Sequence, residues 1–183
     1  METALRTMRR LAAVGIVVAG CYASYLFCYL PYRCNRIKKS YSAATEYAFE
    51  RSGTPEGSLV ARANAATLQA CMRPTCRDVF VDMLVAANYR VLGRYDDAIA
   101  LYRDALRYDR RPEIYLNLSA SEIAIGDRSG AMEEMVRAAL FNPWMITSID
   151  DGMLRRDVVR EVIARRPENA DYIREIEGLP QAR

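Results

Sequence analysis

Few residues in this chain could do chemistry, and their types restrict that chemistry more than their positions do. There is no histidine. Ser/His and Cys/His nucleophile pairs, imidazole metal ligands and a C-x-x-C-H haem attachment are therefore all excluded. The only lysines are Lys38 and Lys39. The carboxylate pairs Asp96–Asp97 and Glu133–Glu134 are adjacent in sequence and diverge on a helix, so each is expected to be a solvated face. Asp150–Asp151 is expected to open a helix, where a carboxylate caps backbone N–H groups. No catalytic residues, metal site or cofactor are expected, and the chain is not expected to be an enzyme.

Of five cysteines, Cys21 and Cys28 lie in an apolar run and Cys34 at its edge, leaving Cys71 and Cys76 outside it. The segment Cys71-Met72-Arg73-Pro74-Thr75-Cys76 reads as a turn in which a short disulfide can close. Such a bond would fit an oxidising compartment; two unpaired thiols are the alternative. Zinc needs four ligands, and the remaining sequence does not supply them.

The first element that positions these residues is the run from Leu11 to Tyr32, 22 residues without a charge. As a helix it reaches about 33 Å, enough to cross a hydrocarbon core of about 30 Å. Arg9 and Arg10 precede it, and Arg33, Arg36, Lys38 and Lys39 follow, giving both ends basic anchors for headgroups. Two other readings compete: a cleaved signal peptide, and a bacterial lipoprotein box at Val18-Ala19-Gly20-Cys21, lipidated at Cys21. Both expect a polar sequence after the cut, whereas eleven mostly apolar residues follow Cys21. An uncleaved span is therefore preferred. Arg6, Arg9, Arg10 and the amino terminus nearly balance Arg33, Arg36, Lys38 and Lys39, so charge alone leaves the orientation open. The short basic segment before the span resembles a signal anchor, which is expected to sit in the inner membrane with the C-terminal domain on the periplasmic or extracytoplasmic side. Within the run, Tyr22, Tyr25, Tyr29 and Tyr32 share one helical face. Gly15, Ala19 and Ala23 form a smooth strip beside it, suited to close helix approach. Either the helix is a generic anchor, or it packs against another membrane subunit.

Charge separates this segment from the rest. Residues 1–78 carry 11 Lys and Arg against 5 Asp and Glu, while residues 79–183 carry 15 against 18. A nucleic-acid binder would place a basic face on its folded part. This folded part is slightly acidic, so nucleic acid is not an expected partner. Arginine supplies 24 of the 26 basic residues, which suggests a GC-rich bacterial source.

Residues 81–109 read as two amphipathic helices broken at Gly93, and residues 112–143 repeat the pattern 33 positions later. Gly93 aligns with Gly126, Ala98 with Ala131, Tyr102 with Met135 and Ala105 with Ala138. Glycine ends the first helix, the small alanine lets paired helices approach, and a large residue four on fills the seam. This period and residue set resembles the tetratricopeptide repeat family, over residues 79–145. Two departures are the Asp82 position, where a bulky residue is usual and Tyr115 supplies one in the second copy, and Gly130, a poor helix former.

The resemblance implies an all-α solenoid of helical hairpins. Two repeats need neighbours to bury their faces. A preceding helix pair is expected at Lys38–Arg51 and Ser58–Met72, with Ala61, Ala65, Leu68 and Met72 as its apolar stripe. Helices at Gly152–Arg165 and Ala170–Ile176 are expected to form a charged cap; Met153, Val158, Val159, Val162 and Ile163 supply the apolar residues of the first. The domain plan is residues 1–34 with the membrane helix at 11–32, a helix pair at 35–78, two repeats at 79–145 and capping helices at 146–183. The resemblance also implies a partner-binding groove formed by Phe80, Met83, Ala87 and Arg90 with Glu113, Leu116, Asn117, Ala120 and Ile123. Of the Lys and Asn that clamp a terminal carboxylate in some relatives, only Asn117 is matched; Met83 and Ala87 stand at other clamp positions. An apolar segment or helix suits the groove better, unless flanking helices fill it. The expected function is an accessory, scaffold or assembly subunit of a bacterial membrane complex. Its partners would be other, integral membrane protein subunits and the lipid bilayer. The alternative is a lipoprotein or anchored adaptor that recruits soluble proteins.

Overall fold

From Glu2 to Glu50 Pro31 is the residue that most opposes a helix, and the chain takes one helix throughout. In a computed structural model the backbone is described for residues 2–75 and 78–178, and side chains for residues 12–29, 31–33, 35–70 and 78–178. Helix α1 (Glu2–Ser24) passes through a π-helical turn (Tyr25–Tyr29) into α2 (Leu30–Glu50). The Pro31 ring would meet the carbonyl four residues back, that of Phe27, in a regular α-helix. The wider turn sits at that carbonyl and relieves the clash. The apolar run and the first helix of the expected pair are thus continuous, with no break at residue 34.

Gly53, at φ 82°, ends this helix, and α3 (Pro55–Thr75) follows. It begins three residues earlier than expected because Pro55 is preset for a first helical position. Thr54 caps it, its Oγ1 accepting from the Gly57 N–H at 3.0 Å. Residues 71–75 are helical rather than turn. The pairing of Cys71 with Cys76 lies outside the described residues, as does the Met72 side chain.

Helices α4 (Val79–Val91), α5 (Tyr95–Ala105), α6 (Pro112–Ala124) and α7 (Arg128–Phe141) come next. The turns after α4 and α6 have the same bonds. Arg94 N–H donates to the Tyr89 carbonyl and Gly93 N–H to that of Arg90; Asp127 donates to Glu122 and Gly126 to Ile123. This double bond pattern places Gly93 and Gly126 at positive φ, 71° and 86°, where a side chain is strained. Asp127 accepts from the Gly130 N–H at 2.9 Å, and its carboxylate occupies the space a Gly130 Cβ would enter. That contact accounts for glycine inside α7.

A 3-10 turn at Pro143–Ser148 leads to α8 (Gly152–Arg165), and another at Pro167–Asn169 leads to α9 (Ala170–Ile176). Asp151 caps α8, accepting from the N–H groups of Met153 and Leu154 at 2.9 and 3.0 Å. Among the described residues every regular element is a helix, without a strand. Each helix from α2 to α8 packs on the next, and α4 also touches α2 and α6. One core gathers Leu68, Val81, Val85, Tyr102, Ile114 and Leu118, with Ile37 and Tyr41 of α2 against it. A second joins Met135 and Val136 to Ile146, Leu154, Val158, Val162 and Ile173. The C-terminal helices are therefore core-forming as well as charged. Met153 is exposed, and Leu154 takes the inward place beside Val158, Val159 and Val162.

Candidate functional site

Helix α4 repeats Phe80, Met83, Ala87 and Arg90 along one face, and α6 does the same with Glu113, Leu116, Asn117, Ala120 and Ile123. None of these nine is buried. Phe80 and Met83 lean on the first core and Leu116 on the second, so their outer surfaces alone are free. Ile123 is 45% exposed. The two helices are tied across this face: Arg90 Nη1 donates to Asn117 Oδ1 at 2.9 Å, and Asn117 Nδ2 donates to the Glu113 carbonyl at 2.9 Å. That use of Asn117 leaves it poorly placed to clamp a carboxylate.

The face begins one helix earlier than the sequence resemblance implies. The Arg90 guanidinium lies 5.1 Å from the centre of the Phe49 ring on α2, extending the row to Phe49–Arg90–Asn117 across α2, α4 and α6. Nearer the start of α2, Asn35, Lys39, Ser42, Ala43 and Glu46 meet Phe80 around an open concavity of about 560 Å³. Lys38 on its rim is paired with Asp78. Burial works against the Asp78 charge, but Lys38 and the Phe80 N–H outweigh it and hold the carboxyl below its usual range. The signal for α2 was present in the sequence: Tyr41, Thr45 and Ala48 turn inward at helical spacing, leaving the opposite side outward.

A second surface is the first half of the long helix. Ala12–Glu50 is long and apolar enough to cross a membrane, and none of its apolar window is buried. Gly15, Ala19, Tyr22 and Ala23 are exposed, and nothing lies within 4 Å of where a Gly15 Cβ would stand. Tyr25 and Tyr29 stack across the π turn, ring centres 5.7 Å apart. Cys21 and Cys28 are free and exposed.

The acidic residues occupy two environments. Asp97 is a surface group bound by Arg94 at 2.7 Å. Glu133 and Glu134 are half-buried and held by Arg137, with Arg165 reaching Glu133 from α8 at 2.7 Å. The sequence reading missed Glu122, a carboxylate 1% exposed between α5, α6 and α7. Its Oε1 accepts from Arg103 at 2.9 Å while Oε2 has no partner. Burial, outweighing Arg103, pushes its carboxyl above the usual range, and burial pushes Glu134 the same way. No group of three or more metal-ligating side chains converges among the described residues. Compared with known proteins, the chain matches no family model and no curated sequence.

Proposed function

We propose that the chain is a single-span bacterial membrane protein of the tetratricopeptide-repeat type that holds other membrane subunits together and catalyses nothing itself. The carrying observation is the continuity of Ala12–Glu50. One helix is apolar and outward-facing over its first half, and over its second half contributes Ile37, Tyr41 and Ala48 to the domain's cores. A partner gripping the first half is thereby held at fixed distance and rotation from the α2–α4–α6 face.

Support for the repeat type comes from the matched turns after α4 and α6, and from full burial of Ala98, Ala131, Ala105 and Ala138. Contact of α4 with both α2 and α6 supports the stacked arrangement. The lack of histidine supports a non-catalytic role. On this reading Arg9 and Arg10 lie on the cytoplasmic side of the span and the domain on the other.

Intact mass of the detergent-purified protein, with identification of what co-purifies, tests the reading. An unprocessed N-terminus with stoichiometric integral-membrane partners is expected, and Tyr22→Leu with Ala19→Leu should reduce their recovery. A chain beginning at acylated Cys21, with soluble partners, would replace the proposal with the lipoprotein adaptor.

A further inference from the structure

One side of α2 carries polar chemistry that anchoring a span does not require. Just beyond the apolar run, Arg33 and Arg36 lie on one side of the helix with the hydroxyls of Tyr29, Tyr32, Ser40 and Tyr41, around an open concavity of about 360 Å³. Ile37 supplies an apolar wall, and both it and Tyr41 are braced against the first core. Every side-chain polar group lining this hollow can donate a hydrogen bond, and none is a carboxylate. Most arginines of the helical domain are paired with Asp or Glu, for example Arg103, Arg137, Arg155 and Arg165. Arg33 and Arg36 have no carboxylate partner among the described residues. Across the helix the other concavity contains Glu46, and of its two lysines Lys38 is already engaged by Asp78, so this side suits an anion better.

Height selects the kind of anion. At about 1.5 Å per residue, Arg36 stands about 6 Å beyond Tyr32, within an interfacial layer about 5–8 Å deep on each side of the hydrocarbon core. Tyrosine rings at that level favour the same boundary. We propose that this strip binds the phosphate of an anionic phospholipid. Arg33 and Arg36 would clasp the phosphate oxygens, the neighbouring tyrosine and serine hydroxyls would take the remaining acceptors, and the glycerol region would lie toward Tyr29 and Tyr32, on the membrane side of the arginines. The lipid would fix the depth and rotation of the long helix, and with it the height of the protein-binding face.

The inference rests on the span reading, so its test carries a separate control for that reading. Native mass spectrometry of the full chain, from micelles containing equal phosphatidylglycerol and phosphatidylcholine, measures retained lipid. The wild type is expected to keep one phosphatidylglycerol. Arg33→Gln with Arg36→Gln should lower that occupancy about tenfold or more, given the strength of charged hydrogen bonds. Arg33→Lys with Arg36→Lys, and separately Tyr32→Phe with Ser40→Ala, should lower it severalfold although the charge is unchanged. Arg110→Gln with Arg156→Gln should leave it intact. Equal retention of the two lipids, or an equal loss in the Arg110/Arg156 control, would sink the proposal in favour of diffuse charge. Displacement by millimolar inorganic phosphate would reassign the strip to a soluble anion. Resistance of the chain to alkaline extraction from membranes reads the span independently: an extractable chain ends the span reading, and a resistant chain without lipid preference ends only the lipid site.

Discussion

Glu122 shows how a single side chain can work against the fold that contains it. One carboxylate oxygen is bonded to Arg103 and the other is sealed without a partner. Because its folded pKa is raised above the ordinary value of 4.5, its stabilising contribution is complete below that pH and is lost as pH rises through the folded value. Glu122→Gln removes the charge while keeping an acceptor for Arg103. The variant should be more stable than the wild type by about 1 kcal/mol at neutral pH, with the advantage vanishing near pH 4. Urea unfolding at pH 7.5 and pH 4 measures this, and a less stable glutamine variant at pH 7.5 would show that the ion pair outweighs its burial. At the same scale, Arg90 joins α2 to α6 through Phe49 and Asn117, so its removal would loosen the α2–α4–α6 face.

Among the elements, the turn from α2 to α3 carries a close backbone approach. Gly57 is buried, and a Cβ there would strike the Arg51 carbonyl and crowd that of Ala48 at 3.1 Å. These are backbone atoms of the neighbouring helix, so relief requires the two helices to part. Gly57→Ala is expected to cost about 1–3 kcal/mol, despite the entropy alanine saves in the unfolded chain. A lower urea midpoint would confirm the tight crossing; an unchanged midpoint would mean the crossing yields freely. Gly93 and Gly126 serve differently, since space around them is open and backbone conformation alone requires glycine.

For the whole molecule, the consequence of one unbroken helix is mechanical. Inserting Gly-Ser-Gly-Ser between Arg36 and Ile37 would leave Ile37 and Tyr41 on the domain while freeing it from the apolar half. Domain stability should change by less than about 0.5 kcal/mol, because no core contact is touched. Recovery of partners that engage both surfaces should fall sharply, since a flexible link abolishes their fixed geometry. Co-purification with the inserted chain decides this, and undiminished recovery would show that the rigid connection is not used.

Features set by neighbours in the chain were legible from the residues alone. The uncharged run, the glycine-ended helices 33 residues apart, the Asp151 cap and the bounds of α8 and α9 all follow from local patterns. The outward sides of α4 and α6 were legible too, because a helix repeats its faces; Phe80, Met83 and Leu116 on them lean partly on the cores. Other features depended on what came to lie alongside. Nothing in the sequence announced the π turn that carries the long helix past Pro31. The outward side of α2 was signalled by its inward residues, but that it continues the α4–α6 face was settled only when Phe80 and Arg90 arrived against it. Nothing in the sequence around Glu122 separates it from a solvated glutamate; α5 and α7 close over it. Local sequence sets where helices start, stop and turn their apolar sides, because those are short-range steric and hydrogen-bonding effects. Which polar groups end up enclosed is decided by the helices packed over them, and only the tertiary structure contains that.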